Sequence, residues 1–325
     1  MPEQLSSPDR NKILLTGANG FVGQAICHAL INQSERLICP TRRPVSQLNA
    51  EVANPQISDL SAQTDWSAFL ADVDIVIHCA ARVHVMQETV ADPLPLFRQV
   101  NVDATMRLAE QAAQAGASQF IFISSVKVNG EATKPGLPYT ETTPSEAQDP
   151  YGISKREAEN ALLALGERSG MRVTILRPPL IYGPGVKANF ASMLNWVRKG
   201  IPLPFASIKN KRSFIYLENL VSLVLHCLRN QNAAQQIFLA SDDHDLSTAE
   251  LLQLSAKALQ VPSRLIPFPP ALLIFMAKLA GRPAISDRLC GSLQVDISKA
   301  KQMLNWTPPF SVEQGLAKTM LAQST

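Results

Sequence analysis

The sequence has little of several features that mark particular classes of protein. Its five cysteines include no CxxC pair, and no run of lysine and arginine is longer than two residues. A scattered, odd set of cysteines is typical of reduced thiols in the cytoplasm rather than of a disulfide framework. With 30 Lys and Arg against 27 Asp and Glu, the net charge is only +3. Such a balance argues against a nucleic-acid partner.

The sequence also has no long hydrophobic run. The most apolar stretch, residues 271–280, is about half the length that a bilayer requires, and it contains Lys278. We expect this stretch to form a buried or interfacial helix, and we expect no membrane span. The N-terminus is polar and lacks the apolar run of a signal peptide, which again predicts a cytoplasmic protein.

The chain does contain a large apolar fraction in an alternating pattern. Of its 325 residues 46% are hydrophobic, enough for one large or two ordinary domains. Up to about residue 177, short and continuous apolar runs alternate with helical stretches. The expected strands are 12–16, 36–41, 74–79, 119–125 and 172–177, and the expected helices are 21–32, 95–115 and 150–169. Continuous apolar strands between helices predict an α/β fold, with a Rossmann-like, doubly wound parallel sheet.

The pattern changes after residue 177. Proline and glycine are concentrated in 178–185, 202–204 and 262–270, and helices such as 217–229 and 248–260 become predominant. We therefore expect two regions. A Rossmann domain occupies 11–177. A smaller, mostly helical substrate region occupies 178–325, and part of its chain returns to the first region.

A glycine-rich turn joins the first expected strand to the first expected helix. Residues 16–23 read TGANGFVG, with the spacing GxxGxxG. Glycine permits a tight turn and a close approach of the backbone to a pyrophosphate, and the helix N-terminus adds free N–H groups. Because the motif lies between a strand and a helix, it predicts dinucleotide binding. The expected contacts are Gly17, Asn19, Gly20, Phe21, Val22 and Gly23.

The end of the second strand indicates which dinucleotide is bound. Folds that prefer NAD usually have an acidic residue there, whereas this strand ends at Thr41, followed by Arg42 and Arg43. An arginine can bind a ribose 2′-phosphate through a charge-assisted fork. The pattern favours NADP(H), with NAD(H) as the alternative cofactor and two solvated arginines as the alternative interpretation. Asp59 and Leu60 are expected near the adenine or in a simple turn.

A tyrosine and a lysine open the helix expected over 150–169. Tyr151 and Lys155 are four residues apart, so they share one helical face, and Asp149 is the expected N-cap. A phenol with a pKa near 10 is a poor acid–base group at neutral pH, and a neighbouring ammonium lowers that pKa by stabilising the phenolate. The pair is suited to proton transfer in alcohol–ketone chemistry.

Together these motifs resemble the extended short-chain dehydrogenase/reductase family, which includes nucleotide-sugar epimerases, dehydratases and 4-ketoreductases. The resemblance runs nearly end to end and includes Ser124-Ser125, the stretch RPPLIYGPG at 177–185, and DISKA at 296–300. It implies that Ser125 hydrogen-bonds the C4 oxygen of a sugar and holds it against Tyr151. Further cofactor contacts implied by the resemblance are Ala80, Ala81, Asn101, Tyr151, Lys155 and Pro178.

The resemblance also bears on the substrate. It implies a UDP-sugar whose diphosphate contacts Arg212 and Asn189, with Arg82 at the mouth of the sugar pocket. Residues 81–86 (ARVHVM) are similar to a bacterial envelope-polysaccharide branch that forms UDP-N-acetylquinovosamine or epimerises UDP-sugars at C4. This implies a role in lipopolysaccharide O-antigen biosynthesis. A homodimer is expected, with pairing through the helices that begin near Pro95 and Pro150, and no metal is implied.

Several activities remain open within the family. The 4,6-dehydratases place Asp-Glu directly after the catalytic serine, whereas this chain has Val126-Lys127, which disfavours elimination of water. We expect reduction of the C4 ketone of a UDP-4-keto-6-deoxy-HexNAc. The alternative is a 4-epimerase of UDP-hexose or UDP-HexNAc, and a distant alternative is a non-catalytic NADP-binding protein. Arg212 and Asn189 argue against a reductase of small ketones.

Overall fold

The structure is a computed structural model that describes residues 11–33, 35–43, 52–83, 92–134, 136–186, 188–281 and 283–322. The predicted stretch 81–86 lies outside the described residues beyond position 83. Within the described residues the strands are β1 (Lys12–Thr16), β2 (Arg36–Ile38), β3 (Ile75–His78), β4 (Gln119–Ile123), β5 (Arg172–Arg177), β6 (Leu180–Tyr182), β7 (Phe214–Tyr216) and β8 (Gln236–Leu239).

One six-stranded sheet has the order β2-β1-β3-β4-β5-β8, and β6 and β7 form a second, two-stranded sheet. The strands from β2 to β5 pair in parallel, with Thr16 of β1 aligned with His78 of β3. The strand order reverses between β1 and β3, which is the place where open α/β sheets bind ligands at the carboxyl ends of their strands. The predicted doubly wound, Rossmann-like fold is confirmed.

The helices follow the predicted pattern closely, except that one helix expected to be continuous is divided into two. The described helices are α1 (Phe21–Asn32), α2 (Ser67–Leu70), α3 (Leu94–Arg98), α4 (Ala104–Gln114), α5 (Pro150–Ser169), α6 (Ala188–Arg198), α7 (Leu217–Arg229), α8 (Thr248–Ala258), α9 (Pro270–Leu279), α10 (Pro283–Cys290), α11 (Ser298–Leu304) and α12 (Val312–Leu321). The helix expected over 95–115 is instead two helices, α3 and α4, joined by a π-helical turn at Gln99–Asp103.

Two compact units make up the chain. The first comprises Met1–Val128, Ala147–Leu176 and Val224–Ile237, and the second comprises Asn129–Glu146, Arg177–Leu223 and Phe238–Thr325. In the first unit, a fully buried apolar core covers the sheet and includes Leu14, Val76, Phe120 and Ile175. In the second, a separate core gathers around Tyr182, Tyr216 and Leu316.

The apolar helix α9 belongs to the second unit and has no buried residue. We expected this segment to be either buried or interfacial, and the structure shows that it is not buried. Across the described ranges, no helix combines the length and the apolar character needed to cross a bilayer.

Candidate active site

The glycine turn of the first unit is packed so closely that two of its positions accept no side chain. Gly17 has a φ of +72°, and a Cβ atom there would lie 2.7 Å from the backbone nitrogen of Ala80. A Cβ atom on Gly23 would lie 2.1 Å from the carbonyl oxygen of Gly17. Only glycine allows this arrangement, which places the turn against the chain that follows β3.

The first turn of α1 presents backbone N–H groups without a side-chain cap. No side chain bonds the helix start at Gly20, and the first turn contains no acidic residue. Phe21, Val22 and Gly23 are the first three helical residues, whose N–H groups have no acceptor within the helix. Asn19 is exposed in the preceding turn. The donors and the positive end of the helix dipole fit the pyrophosphate of a dinucleotide.

The end of β2 carries a fixed neutral side chain and two exposed cations. The hydroxyl of Thr41, a buried residue, donates to the carbonyl oxygen of Arg43 over 2.7 Å and accepts from the side-chain amide of Asn54 over 2.9 Å. Arg42 and Arg43 are exposed. Pro40 follows β2 closely and has no N–H to donate, which fits the early end of a strand expected to reach position 41.

The other expected cofactor contacts lie in several places. The exposed Asp59 accepts the N–H of Leu60 over 2.7 Å through its own carboxylate. Ala80 and Ala81 are half-buried after β3, and Pro178 is buried in the second unit. These contacts stay predictions.

Asn101 lies in the π-helical turn and joins three segments of the first unit. Its side-chain oxygen accepts the N–H of Arg82 over 2.8 Å, while its amide donates to the Arg82 carbonyl oxygen and to the Ser154 hydroxyl, each over 3.0 Å. Ser154 in turn donates to the carbonyl oxygen of Tyr151. π-Helical turns are frequent at functional sites. Asn101 therefore fixes the chain after β3 relative to the start of α5.

Phe97 provides a second link between these segments. The guanidinium of Arg82 lies 5.4 Å from the centroid of the Phe97 ring. The same ring meets Tyr151 edge to face, with centroids 6.3 Å apart. Arg82 and Tyr151 could be identified from the sequence, but Phe97 and Ser154 could not. Nothing in the sequence spacing of Phe97 and Ser154 shows that they lie between the Arg82 segment and Tyr151.

The start of α5 brings Ser125 and Tyr151 together. Asp149 caps the helix by accepting the N–H of Gly152 over 3.3 Å, as predicted, and its carboxylate also pairs with the ammonium of Lys127 at 3.3 Å. The hydroxyls of Ser125 and Tyr151 are hydrogen-bonded. Two hydroxyls in contact form a site where one alcohol or carbonyl oxygen could be held.

Lys155 lies one helical turn after Tyr151 and is almost fully buried. Its ammonium donates to the carbonyl oxygen of Ile123 over 2.8 Å and sits 4.0 Å from the centroid of the Phe122 ring. Burial lowers the pKa of Lys155 to about 7, although the negative charge of Glu159 acts to raise it. Glu159 is buried as well and accepts from the hydroxyl of Ser124. Its i,i+4 spacing from Lys155 was a signal that the sequence analysis did not use.

The pKa of Tyr151 is raised, contrary to the expectation that the lysine lowers it. Burial is the main cause, and the negative charge of Asp149 adds to it, while the hydrogen bond from Ser125 acts in the opposite direction. The ammonium of Lys155 is bonded to the backbone of Ile123. In this structure the phenol is therefore held in its protonated form.

The second unit contains the two residues expected at the diphosphate. The guanidinium of Arg212 donates to the carbonyl oxygen of Gly291 over 3.1 Å. Burial and the neighbouring charge of Arg288 lower the pKa of Arg212. Asn189 lies in the first turn of α6, and its side chain is outside the described part of the chain.

The fold and the glycine turn are typical of a class of α/β enzymes that bind a dinucleotide between the first strand and the first helix. Residues 13–240 match the NAD dependent epimerase/dehydratase family, and the chain belongs to that family. It is 46% identical over 312 residues to a Vibrio cholerae protein named UDP-glucose 4-epimerase, a match that covers 95% of this chain and 94% of the relative.

More distant similarities point to the same fold. An Escherichia coli O157:H7 protein named N-acetyl-alpha-D-glucosaminyl-diphospho-ditrans,octacis-undecaprenol 4-epimerase is 27% identical, with 95% of this chain and 94% of that protein covered. The crystal structure of UDP-glucuronic acid 4-epimerase from Bacillus cereus in complex with NAD superimposes with a TM-score of 0.77 at 20% identity, covering 96% of this chain and 98% of that one.

The lowered pKa of Lys155 predicts a pH dependence of stability. Between about pH 7 and the ordinary lysine value near 10.5, the unfolded chain binds a proton that the folded chain has lost, so stability rises with pH. The rise at this residue is at most about 1.4 kcal/mol per pH unit. Urea unfolding of the unmodified protein and of Lys155→Met at pH 7.5 and 9.5 measures this change in the free energy of unfolding. The unmodified protein should gain stability relative to the variant as pH rises, and a constant difference would contradict the assignment.

Proposed function

We propose that this enzyme oxidises or reduces a UDP-sugar at C4, with Tyr151 moving the proton on the C4 oxygen. The observation that carries the proposal is the hydrogen-bonded pair of Ser125 and Tyr151, with Lys155 buried one helical turn further on. The Vibrio cholerae relative, whose name specifies UDP-glucose and position 4, supports both the substrate class and the reacting carbon.

The protonation state of Tyr151 favours donation to a ketone. Because burial raises the pKa of the phenol, Tyr151 holds its proton at neutral pH and can deliver it to the C4 oxygen as that oxygen becomes an alkoxide. Ser125 then stabilises the phenolate through the hydrogen bond it already donates. In the oxidative direction Tyr151 must first release its own proton to solvent; the resulting phenolate then removes the proton from the C4 hydroxyl, while Ser125 keeps that oxygen in place.

The first unit fits a nicotinamide dinucleotide, which supplies or accepts a hydride when bound. The side-chain-free cradle at Gly17 and Gly23 and the uncapped start of α1 would hold its pyrophosphate. Asn101 keeps the chain after β3 in position beside that cradle. The remaining residues proposed to contact the dinucleotide are Asp59, Leu60, Ala80, Ala81, Tyr151, Lys155 and Pro178.

The second unit is proposed to hold the diphosphate of the substrate. Arg212 and Arg288 are close enough for the charge of one to lower the pKa of the other. Two like charges held together in a partly buried place are stabilised by an anion, and a guanidinium fork matches phosphate oxygens. Asn189 is the neutral residue proposed to assist.

Two reactions at C4 share this machinery. A 4-epimerase removes a hydride from C4 and returns it to the other face, whereas a 4-reductase delivers one hydride and needs fresh reduced cofactor in each cycle. We place the epimerase first because of the name of the 46% identical relative. The reductase is the second candidate because the end of β2 carries Thr41, Arg42 and Arg43 where an acid would favour NAD.

Elimination of water, the reaction of the dehydratases, is not supported by the residues after Ser125. Val126 is buried, and Lys127 is paired with the carboxylate of Asp149. Neither side chain offers the carboxyl acid and base that the dehydratases place at these positions.

The thiols support a reducing compartment. All five cysteines are free, and the sulfur atoms of Cys27 and Cys39 lie 3.9 Å apart without forming a disulfide bond. We therefore propose a cytoplasmic location. The homodimer stays a prediction, with pairing through α5 and through the expected helix 95–115, which the structure divides into α3 and α4.

The exposed arginines predict a preference for NADP(H) over NAD(H). A charge-assisted contact to a 2′-phosphate should make NADP(H) bind about tenfold more tightly or better. Isothermal titration calorimetry should show that preference, and Arg42→Ala combined with Arg43→Ala should abolish it. Arg36→Ala is the matched control, because Arg36 is also exposed but lies at the start of β2. Equal affinities in the unmodified protein would show that the two arginines are only surface charges.

The two C4 reactions are separated by one pair of assays. We expect the enzyme to interconvert UDP-glucose with UDP-galactose, or the corresponding UDP-HexNAc pair, without added cofactor. If it is a reductase, it will instead oxidise NADPH in stoichiometric amounts when given a UDP-4-keto-6-deoxy-HexNAc. Chromatography of the sugar nucleotides follows the epimerisation, and absorbance of the reduced nicotinamide follows the reduction. No activity with either substrate class would contradict the proposed chemistry at C4.

A further inference from the structure

The exposed apolar side chains of this protein are concentrated in one part of the second unit. Among the described residues, eleven large hydrophobic side chains are exposed, and seven of them lie between positions 196 and 279. Contiguous exposed apolar surface in a folded protein generally marks an interaction site. The seven are Trp196, Ile201, Ile266, Leu272, Phe275, Met276 and Leu279.

Helix α9 supplies a continuous stripe of this surface. Leu272, Phe275, Met276 and Leu279 follow the spacing i, i+3, i+4, i+7, which aligns them on one helical face. Their exposed fractions run from 44% to 73%. Leu273 packs against the neighbouring core cluster. The helix is therefore anchored on one side and presents leucine, phenylalanine and methionine to solvent on the other.

A second apolar pair lies on two neighbouring segments, one that follows α6 and one that leads into α9. The N–H of Leu203 donates to the carbonyl oxygen of Arg264 over 2.9 Å, and the N–H of Ile266 donates to that of Leu203 over 2.8 Å. This pairing brings the exposed Ile201 and Ile266 onto adjacent segments. The guanidinium of Arg264 donates to Gly200 beside them. A cation thus lies within the apolar surface.

The sequence around this surface is strongly basic. Residues 186–217 and 251–286 contain ten lysines and arginines and no aspartate or glutamate, whereas the remaining chain has 20 basic and 27 acidic residues. Directly after the second stretch, α10 carries the exposed Asp287, followed by the exposed Arg288. Lys199, Arg264 and Lys278 are exposed in the structure. We call the seven exposed apolar residues, together with these three cations, the basic apolar face.

We propose that the basic apolar face binds an anionic phospholipid surface, with α9 lying in the plane of the interface. Helices that bind there bury an apolar stripe at the headgroup boundary and set lysine and arginine against lipid phosphates. A second copy of the chain is a poorer occupant, because a two-fold symmetric contact would oppose one basic face to another.

Vesicle sedimentation tests the proposal with the full chain. The probe is a vesicle of phosphatidylethanolamine and phosphatidylglycerol, compared with one of phosphatidylcholine alone. The key variant is Leu279→Glu, and Leu321→Glu is its matched control. The two leucines are 73% and 72% exposed, and each is the last residue of its helix. Sugar-nucleotide turnover and size-exclusion chromatography are measured on all three proteins.

We expect binding to the anionic vesicles, little binding to phosphatidylcholine, and weaker binding as salt is raised. Leu279→Glu should weaken binding about tenfold or more while Leu321→Glu does not, and turnover should be unchanged in both. Failure of the unmodified protein to bind anionic vesicles, or equal binding by Leu279→Glu, overturns the proposal. The unmodified protein could also form an oligomer that does not bind vesicles and that Leu279→Glu dissociates. In that case the basic apolar face joins copies of this protein, and the proposal is wrong.

Discussion

The side-chain amide of Asn101 makes three hydrogen bonds on which the arrangement of the candidate active site depends. They bind both backbone groups of Arg82 after β3 and the hydroxyl of Ser154 on α5. An aspartate at this position would lack the two donors, and a leucine would leave buried polar groups unpaired at a cost of about 1–3 kcal/mol each. Asn101 thus joins the segment that follows β3 to the helix that carries Tyr151, and the Phe97 ring adds a second contact between them.

Burial sets the chemistry of the residues held in this way. It lowers the pKa of Lys155 to about 7 and raises that of Tyr151, so each group moves towards its neutral form. The carbonyl oxygen of Ile123, the ring of Phe122 and the carboxylate of Glu159 keep the lysine in place despite its lost hydration. A neutral phenol beside a serine hydroxyl can donate a proton, which is what both proposed C4 reactions need when the 4-ketone is reduced.

Much of this organisation could be predicted from the sequence, because the strongest signals are local. The bounds of β1, α1 and α5 follow from apolar continuity, the glycine turn and the Asp149 cap, and the structure has them where they were expected. The π-helical turn could not be predicted, since it depends on a backbone register and on contacts of Asn101 with distant segments. For α9 the composition showed an apolar helix, but only the exposure of Phe275 and Leu279 showed that nothing in the described part of the chain covers that face.

Tyr151 is the proposed proton donor and acceptor at C4, and its phenolic oxygen is the group whose removal is most informative. The direct measurement is the turnover of Tyr151→Phe on the substrate found for the unmodified enzyme, together with its affinity for the dinucleotide. Removing the phenolic oxygen should leave the dinucleotide affinity unchanged and reduce turnover by about a hundredfold or more, the usual scale for loss of a general acid–base group. Near-normal turnover in this variant would contradict the account and remove Tyr151 from the mechanism.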